Sequence, residues 1–144
     1  MINWKRLALA YFKPKSVEFY REETIYDLVG IRIYKKYLPS SGDIVRRWRK
    51  IKQINPERSG RIEELYKYER KTRNYEWRHI VGIIILILLT FFIDRKFTIF
   101  DWVFISVLNL VVNIYPIFLQ RYNRIRIINT LRHNGHNSPY EIKQ

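Results

Sequence analysis

Two polar side chains, Glu76 and His79, stand directly before a long apolar stretch of the sequence. Side chains three residues apart are neighbours on one face of a helix, so this carboxylate and this imidazole can touch. A carboxylate beside an imidazole fixes its tautomer and raises its basicity, which suits a general base that removes a proton from a hydroxyl. Glu76 and His79 are therefore candidate catalytic residues. An interfacial hydrogen bond without any catalytic role explains the same pair equally well.

A second set of polar side chains closes the next apolar stretch, within FLQRYNRIRI at residues 118–127. Lysines would be enough to mark a membrane boundary, whereas the planar guanidinium groups of arginine match carboxylates and phosphates. Amide side chains can donate to a carbonyl oxygen that gains negative charge during a reaction. Helix association through amides and simple stop-transfer charges are the alternatives that need no substrate. The candidate substrate-binding residues are Asn113, Gln120, Arg121, Tyr122, Asn123, Arg124 and Arg126.

Two apolar segments must position these side chains. Residues 80–93 carry no charge, and residues 98–119 carry only Asp101. About 20 helical residues cross a hydrocarbon layer of about 30 Å, so the second segment is long enough to span and the first is borderline. Only residues 94–97 separate the two segments. The pattern predicts a transmembrane helical hairpin.

The charge of the chain indicates which partners and which side of the membrane to expect. With 27 Lys and Arg against 13 Asp and Glu, the net charge is +14, which suits either nucleic acid or an anionic lipid surface. The apolar hairpin favours the lipid surface and argues against nucleic acid. Because the cations flank the hairpin, both termini are expected on the cytoplasmic side. The sequence has no cysteine, hence no disulfide and no thiol nucleophile, and its histidine spacing indicates no metal site.

The helices outside the hairpin are expected to be interfacial or amphipathic. Ser16 is a candidate N-cap of a helix, and Gly30 is expected to interrupt that helix. A basic helix at 44–54 is expected to lie either on anionic membrane or on the protein's own core. We predict an all-α integral membrane protein with cytoplasmic N-terminal helices and a long helix leading into the membrane. As one domain over residues 1–144, it comprises N-terminal helices at 1–55, the long helix at 56–93, the returning helix at 98–127 and a cytoplasmic tail at 128–144.

Each helix of the predicted hairpin carries a polar stripe, and the two stripes should meet. Folding the chain at residues 95–96 brings His79 level with residues near 112 and Glu76 level with residues near 115. Polar groups at this depth are costly unless they face a partner or a wet cavity. One stripe consists of Glu69, Thr72, Glu76 and His79, and the other of Asn109, Asn113, Gln120, Asn123 and Arg124.

The segments TRNYEWRH (72–79) and NIYPIFLQRYNRIRI (113–127) resemble the hallmark of the glycosyl-4,4'-diaponeurosporenoate acyltransferase family. These are small membrane proteins associated with carotenoid glycoester synthesis of the staphyloxanthin type. The residues FYREETIYDLVGIRIYKKYLPSSGD (19–43) resemble an upstream run of the same family. Two features depart from the family pattern: only LALAYF (7–12) stands where members have a further membrane segment, and Ile125 replaces an expected proline.

This resemblance implies an acyltransferase of the bacterial cytoplasmic (inner) membrane that moves a fatty acyl group onto a hydroxyl of a glycosylated lipid or carotenoid at the cytoplasmic leaflet. The expected acyl donor is acyl-CoA or a phospholipid, and no tightly bound cofactor is expected. Lipid substrates are the expected partners, and the chain could also form a homo-oligomer or bind a partner membrane protein. The alternative is a non-catalytic membrane anchor or assembly subunit that binds anionic lipid and a partner protein.

Overall fold

The computed structural model of the chain describes residues 9–20, 23–37, 61–92 and 96–141. The described residues are mostly helical, as predicted, with two strands of two residues each. A 3-10 helix, Ser16–Glu18, leads into β1 (Phe19–Tyr20) and β2 (Glu23–Thr24), followed by the short helices α1 (Ile25–Leu28) and α2 (Ile31–Tyr37). The three long helices are α3 (Arg61–Phe92), α4 (Ile99–Asn109) and α5 (Tyr115–His133), with a π-helical turn, Leu110–Ile114, joining α4 to α5.

Two continuous helical stretches, Ile62–Phe92 and Ile99–His133, are long and apolar enough to cross a membrane. Only 11% and 17% of their most apolar windows is buried within the protein. Large apolar side chains such as Phe92 and Phe100 therefore point outward, where a bilayer would cover them. The predicted start of the long helix near residue 57, the first two residues of the predicted turn at 94–97 and the basic helix at 44–54 lie outside the described residues.

The N-terminal segment differs from the helix that Ser16 suggested. Downstream of Ser16, an α-helix starts only after Thr24, whose backbone N–H and hydroxyl both donate to Asp27 Oδ2, at 3.1 and 2.9 Å. This cap fixes the first turn of α1, so the preceding residues are left to pair as the antiparallel strands β1 and β2. The predicted break at Gly30 is confirmed, since its φ of +77° suits glycine and separates α1 from α2.

A buried cluster holds the N-terminal helices against α5. Tyr26 of α1 and Ile31 of α2 pack against Leu119, Tyr122 and Ile125 of α5. These side chains are between 0% and 8% exposed, so they form a buried part of the described core. The cluster fixes the N-terminal segment beside the polar stripe of α5.

Candidate functional site

Glu76 is fully buried on α3 and bonds two arginines of α5. Arg121 Nε donates to Glu76 Oε1 at 2.8 Å, and Arg124 Nη2 donates to Glu76 Oε2 at 2.6 Å. Arg121 also pairs with Glu18 of the 3-10 helix, and the Tyr26 hydroxyl donates to Glu18 Oε1 at 2.8 Å. The two polar stripes therefore meet as predicted, but through charged groups.

A second buried carboxylate, Glu69, extends this network toward the tail. Arg73 Nη2 lies 3.0 Å from Glu69 Oε2 and forms an ion pair whose angles do not fit a hydrogen bond. Arg124 Nε lies 3.8 Å from the other oxygen, Glu69 Oε1. Arg124 Nε also donates to the Thr72 hydroxyl at 3.1 Å. Tyr140 in the tail donates its hydroxyl to Glu69. We call the group formed by Glu18, Glu69, Glu76, Arg73, Arg121 and Arg124 the ion-pair network.

The network balances its charges, because three carboxylates face three guanidinium groups. Burying an ion costs several kcal/mol unless a partner of opposite charge and hydrogen bonds compensate for the lost water. The backbone adds to this compensation: Arg124 Nη1 donates to the Phe12 carbonyl at 3.2 Å, and Arg121 Nη2 donates to the Tyr11 carbonyl at 3.4 Å. The structure thus gives Arg121 and Arg124 internal partners, and the expected binding of a substrate phosphate by these arginines stays a prediction.

The expected contact between Glu76 and His79 is likewise replaced. Both oxygens of Glu76 bond arginines, whereas His79 Nδ1 lies 3.4 Å from Asn113 Oδ1. The reason is electrostatic, since a fully buried carboxylate requires positive charge and a long guanidinium side chain supplies it from the facing helix. The predicted alignment of His79 with residues near 112 is confirmed.

The hydrogen bonds of Asn113 provide the basis for assigning a tautomer to His79. Its amide Nδ2 donates to Asn109 Oδ1 at 2.8 Å, which turns the amide oxygen toward His79. An amide oxygen only accepts, so Nδ1 of the imidazole is assigned as the donor. In the neutral form of this tautomer, the lone pair lies on Nε2, which is the arrangement that a general base needs.

Gly82 and the π-helical turn allow this close approach of Asn113 to α3. A Cβ atom on Gly82 would lie 2.6 Å from Asn113 Oδ1, so a larger side chain would displace the amide. Within the turn, the Tyr115 N–H bonds the Leu110 carbonyl, and Pro116 has no N–H for the Val111 carbonyl. The Tyr34 hydroxyl donates to that carbonyl at 3.0 Å. Single π-helical turns in α-helices are frequent at functional sites.

The other predicted site residues occupy three environments on α5. Tyr122 is buried in the core cluster. Arg126 is exposed, with its guanidinium carbon 5.7 Å from the centre of the Tyr122 ring. Gln120 and Asn123 are half-buried beside the two arginines. The structure thus brings Glu76, Arg121 and Arg124 into one group and His79 and Asn113 into another.

Several residues of the site were not among the predicted candidates. Glu69 and Thr72 lie on the predicted stripe of α3, so periodicity had indicated their position but not their role. Glu18, Gly82 and Tyr140 carried no such signal. Burial and the hydrogen bond to Glu69 raise the pKa of the Tyr140 phenol, and burial and the bond to Glu18 raise the pKa of Tyr26 in the same way. Among the described residues, no group of three His, Asp or Glu side chains is arranged to hold a metal ion.

Comparison with known proteins identifies the family. The model of the glycosyl-4,4'-diaponeurosporenoate acyltransferase family matches residues 8–133, which include both polar groups and all three long helices. Searches of curated proteins and of solved structures found no match. Since the matched region covers most of the 144 residues, the chain belongs to the glycosyl-4,4'-diaponeurosporenoate acyltransferase family.

Proposed function

We propose that the protein is a membrane acyltransferase that moves a fatty acyl group from an activated donor to a hydroxyl of a glycosylated lipid or carotenoid. The family implies acyl transfer in carotenoid glycoester synthesis. The observation that carries the proposal is the placement of His79. Its Nδ1 is held by Asn113, its Nε2 keeps a lone pair, and its side chain lies directly before the apolar part of α3. A lipid-borne hydroxyl at the membrane boundary can reach such a base.

In the proposed reaction, His79 Nε2 takes the proton of the acceptor hydroxyl while the hydroxyl oxygen attacks the acyl carbonyl carbon. A new ester C–O bond forms, and the bond from the carbonyl carbon to the donor's sulfur or oxygen breaks. The histidine returns its proton to that leaving group, so charge and atoms balance. A positioned general base accelerates such a step by roughly 10²–10⁴-fold.

Half-buried amides on α5 are candidates for stabilising the carbonyl oxygen as it gains charge. Gln120 and Asn123 lie within the segment that flanks the ion-pair network. A well-placed donor of this kind contributes about 3 kcal/mol in known enzymes. The exposed Arg126 is suited to an anionic donor, either acyl-CoA or a phospholipid, because Arg121 and Arg124 already bond carboxylates.

The proposed location is the cytoplasmic leaflet of a bacterial inner membrane, with both termini cytoplasmic. The excess of Lys and Arg outside the apolar segments supports this orientation. The exposed apolar surfaces of α3 and α4 support the placement in a membrane, where both apolar substrates could arrive laterally through the bilayer. Lipid substrates and anionic lipid are the proposed partners, and a second copy or another membrane protein would have to bind outside the network.

A non-catalytic anchor or assembly subunit is the second candidate function. The observation that favours it is that the ion-pair network gives internal partners to Glu76, Arg121 and Arg124, which leaves His79 as the sole proposed base. On this alternative, the network would serve only to hold α3, α5 and the N-terminal segment together for binding a partner protein.

Replacing His79 distinguishes the two functions. Membranes from cells that express the wild-type chain or His79→Gln should be compared by mass spectrometry for acylated glycolipid and carotenoid products. We expect a loss of about 10²–10⁴-fold in product formation at unchanged protein abundance. His133→Gln, in an exposed position at the end of α5, is the matched control and should keep full activity. Full activity in His79→Gln would exclude the catalytic proposal and favour the anchor.

A further inference from the structure

The part of α3 that precedes its apolar half contains a short repeat. Tyr68-Glu69-Arg70-Lys71 and Tyr75-Glu76-Trp77-Arg78 share the order tyrosine, glutamate, any residue, cation, seven residues apart. Seven residues make nearly two helical turns, so both copies present equivalent side chains on the same faces. The glutamates are buried in the ion-pair network, whereas the tyrosines and the cations are exposed.

In each copy, the cation lies over the ring of its own tyrosine. Lys71 Nζ is 5.1 Å from the centre of the Tyr68 ring, and the guanidinium carbon of Arg78 is 5.7 Å from the centre of the Tyr75 ring. Attraction between a cation and an aromatic ring restrains the long side chain on the helix surface. We call Tyr68, Lys71, Tyr75 and Arg78 the tyrosine–cation ladder.

The ladder continues a wider exposed stripe. Lys67, Lys71, Asn74 and Arg78 are all exposed and fall within an arc of about 60° on the helix, using 3.6 residues per turn. The buried carboxylates of the same repeat already face Arg73, Arg121 and Arg124 on another side of α3. The positive charge of the stripe is therefore presented to the surroundings of the protein.

The position of the ladder along α3 indicates what it meets. Arg78 precedes by two residues the uncharged stretch that begins at Ile80, and Lys71 lies about 10 Å farther from it at 1.5 Å per residue. Headgroup layers extend roughly 5–8 Å beyond the hydrocarbon on each side, so Arg78 lies at headgroup depth, and Lys71 lies just above the headgroups, within a Debye length of about 8–10 Å. Trp77 is 57% exposed next to Arg78, and aromatic side chains of this kind are enriched at membrane interfaces.

We propose that the tyrosine–cation ladder is a binding surface for anionic lipid headgroups of the bilayer. The cations attract the negative charge, and the tyrosine rings restrain the cations on the helix surface. This inference rests on the membrane placement in the proposed function and not on the chemistry of His79. The His79→Gln variant should therefore keep lipid binding while it loses turnover, so the two proposals fail separately.

Lipid binding by the full chain tests the ladder. The protein in a neutral detergent is titrated with phosphatidylglycerol or phosphatidylcholine, and bound lipid is counted by native mass spectrometry. The wild-type chain should prefer phosphatidylglycerol, and the preference should weaken with salt. At about 1 kcal/mol per cation near an anionic surface, Lys71→Gln or Arg78→Gln should weaken phosphatidylglycerol binding about fivefold, and the two together about 30-fold.

Two further variants separate the ladder from general positive charge. Lys36→Gln combined with Arg70→Gln removes two exposed cations outside the ladder and should change binding less than twofold. Tyr75→Leu keeps every charge and should weaken binding roughly two- to fivefold, because Arg78 loses its ring. Equal losses in the control pair and the ladder pair would overturn the proposal. So would equal binding of the two lipids, or displacement of phosphatidylglycerol by millimolar inorganic phosphate.

Discussion

Glu76 and His79 lie one turn apart on the same side of α3, yet their surroundings differ completely. Glu76 is fully buried between Arg121 and Arg124, with charged partners for both oxygens. His79 is half-buried and meets the uncharged amide of Asn113. The first environment is charged and closed, and in the second an uncharged amide is the partner of the imidazole.

Under the proposed function, this difference separates the residues that stabilise the hairpin from the residues that carry its chemistry. Buried charges are tolerated only as a matched set, and the matching ties α3 to α5 and to the N-terminal segment through Glu18. A neutral imidazole needs no counter-charge, so an amide is enough to orient it. The rigid ion-pair network then fixes the helix register on which the His79–Asn113 contact depends.

Removing one arginine from the network should have the largest effect on stability. Arg124→Gln leaves Glu69 and Glu76 without their shared cation, and breaking a buried pair in this way costs about 3–5 kcal/mol. Reversible unfolding in mixed detergent micelles measures the change in the free energy of unfolding. Arg124→Lys keeps the charge but loses the fork geometry, so its loss should be smaller.

The matched control for this comparison is Arg126→Gln, two residues along the same helix. Arg126 is exposed and lies outside the network, so its replacement should change stability by no more than about 0.5 kcal/mol. Similar losses of unfolding free energy in the two variants would mean that the buried ion pairs contribute no more than exposed charges do. The charged and the neutral region would then not differ in their effect on stability.

An added methyl group at Gly82 should have the next largest effect, on the histidine side of the comparison. The Cβ of Gly82→Ala would meet Asn113 Oδ1 at 2.6 Å. Overpacking of this kind costs typically 1–3 kcal/mol, and the better helix propensity of alanine offsets about 1 kcal/mol of that cost. Because the amide must move, His79 Nδ1 loses its acceptor and turnover should fall as well. Product formation and unfolding are measured on the same preparations.

A double-mutant cycle with Asn113→Ala shows whether the clash is the cause. Asn113→Ala removes the atoms that the new methyl group would meet, so adding Gly82→Ala to it should cost little further stability. Additive losses of stability from the two substitutions would show that Gly82→Ala acts through another neighbour and that Asn113 does not pack against Gly82.

Local sequence patterns predicted the elements better than the partners. The apolar segments, the polar stripe of α3 and the break at Gly30 all follow from spacing and from backbone preference, and the structure has them. The choice of partner for Glu76 does not follow. A histidine three residues away and two arginines on another helix are equally compatible with the sequence, and only the fully buried position of the carboxylate decides between them.

Long-range contacts were the least predictable part of the site. Glu18 reaches Arg121 across 103 residues of sequence, and Tyr140 reaches Glu69 across 71. No short pattern encodes such distances, since they depend on how the N-terminal segment and the tail pack on α5. The π-helical turn also shifts the phase of α5 relative to α4, which a constant helical period cannot anticipate.

The smallest predicted effect concerns the tail, where Tyr140 joins the charged region. Tyr140→Phe removes the hydroxyl that donates to Glu69, and we expect a loss of about 1 kcal/mol near neutral pH. Burial and this bond raise the pKa of Tyr140 above the ordinary tyrosine value of 10.0. The unfolded chain therefore ionises first, so the contribution of the hydroxyl is complete below pH 10 and is lost as the pH rises further.

The pH dependence separates this hydroxyl from an ordinary tail contact. Above pH 10, the wild-type chain should lose stability more steeply than Tyr140→Phe, as measured by unfolding in detergent over a pH series. Tyr66→Phe is the matched control, because the Tyr66 hydroxyl donates to the Asn137 carbonyl of the same tail, at 2.6 Å, and does not contact the network. Identical slopes of unfolding free energy against pH for the wild-type chain and Tyr140→Phe would show that Tyr140 is not bound to a buried carboxylate. Tyr140 would then not be a partner of Glu69.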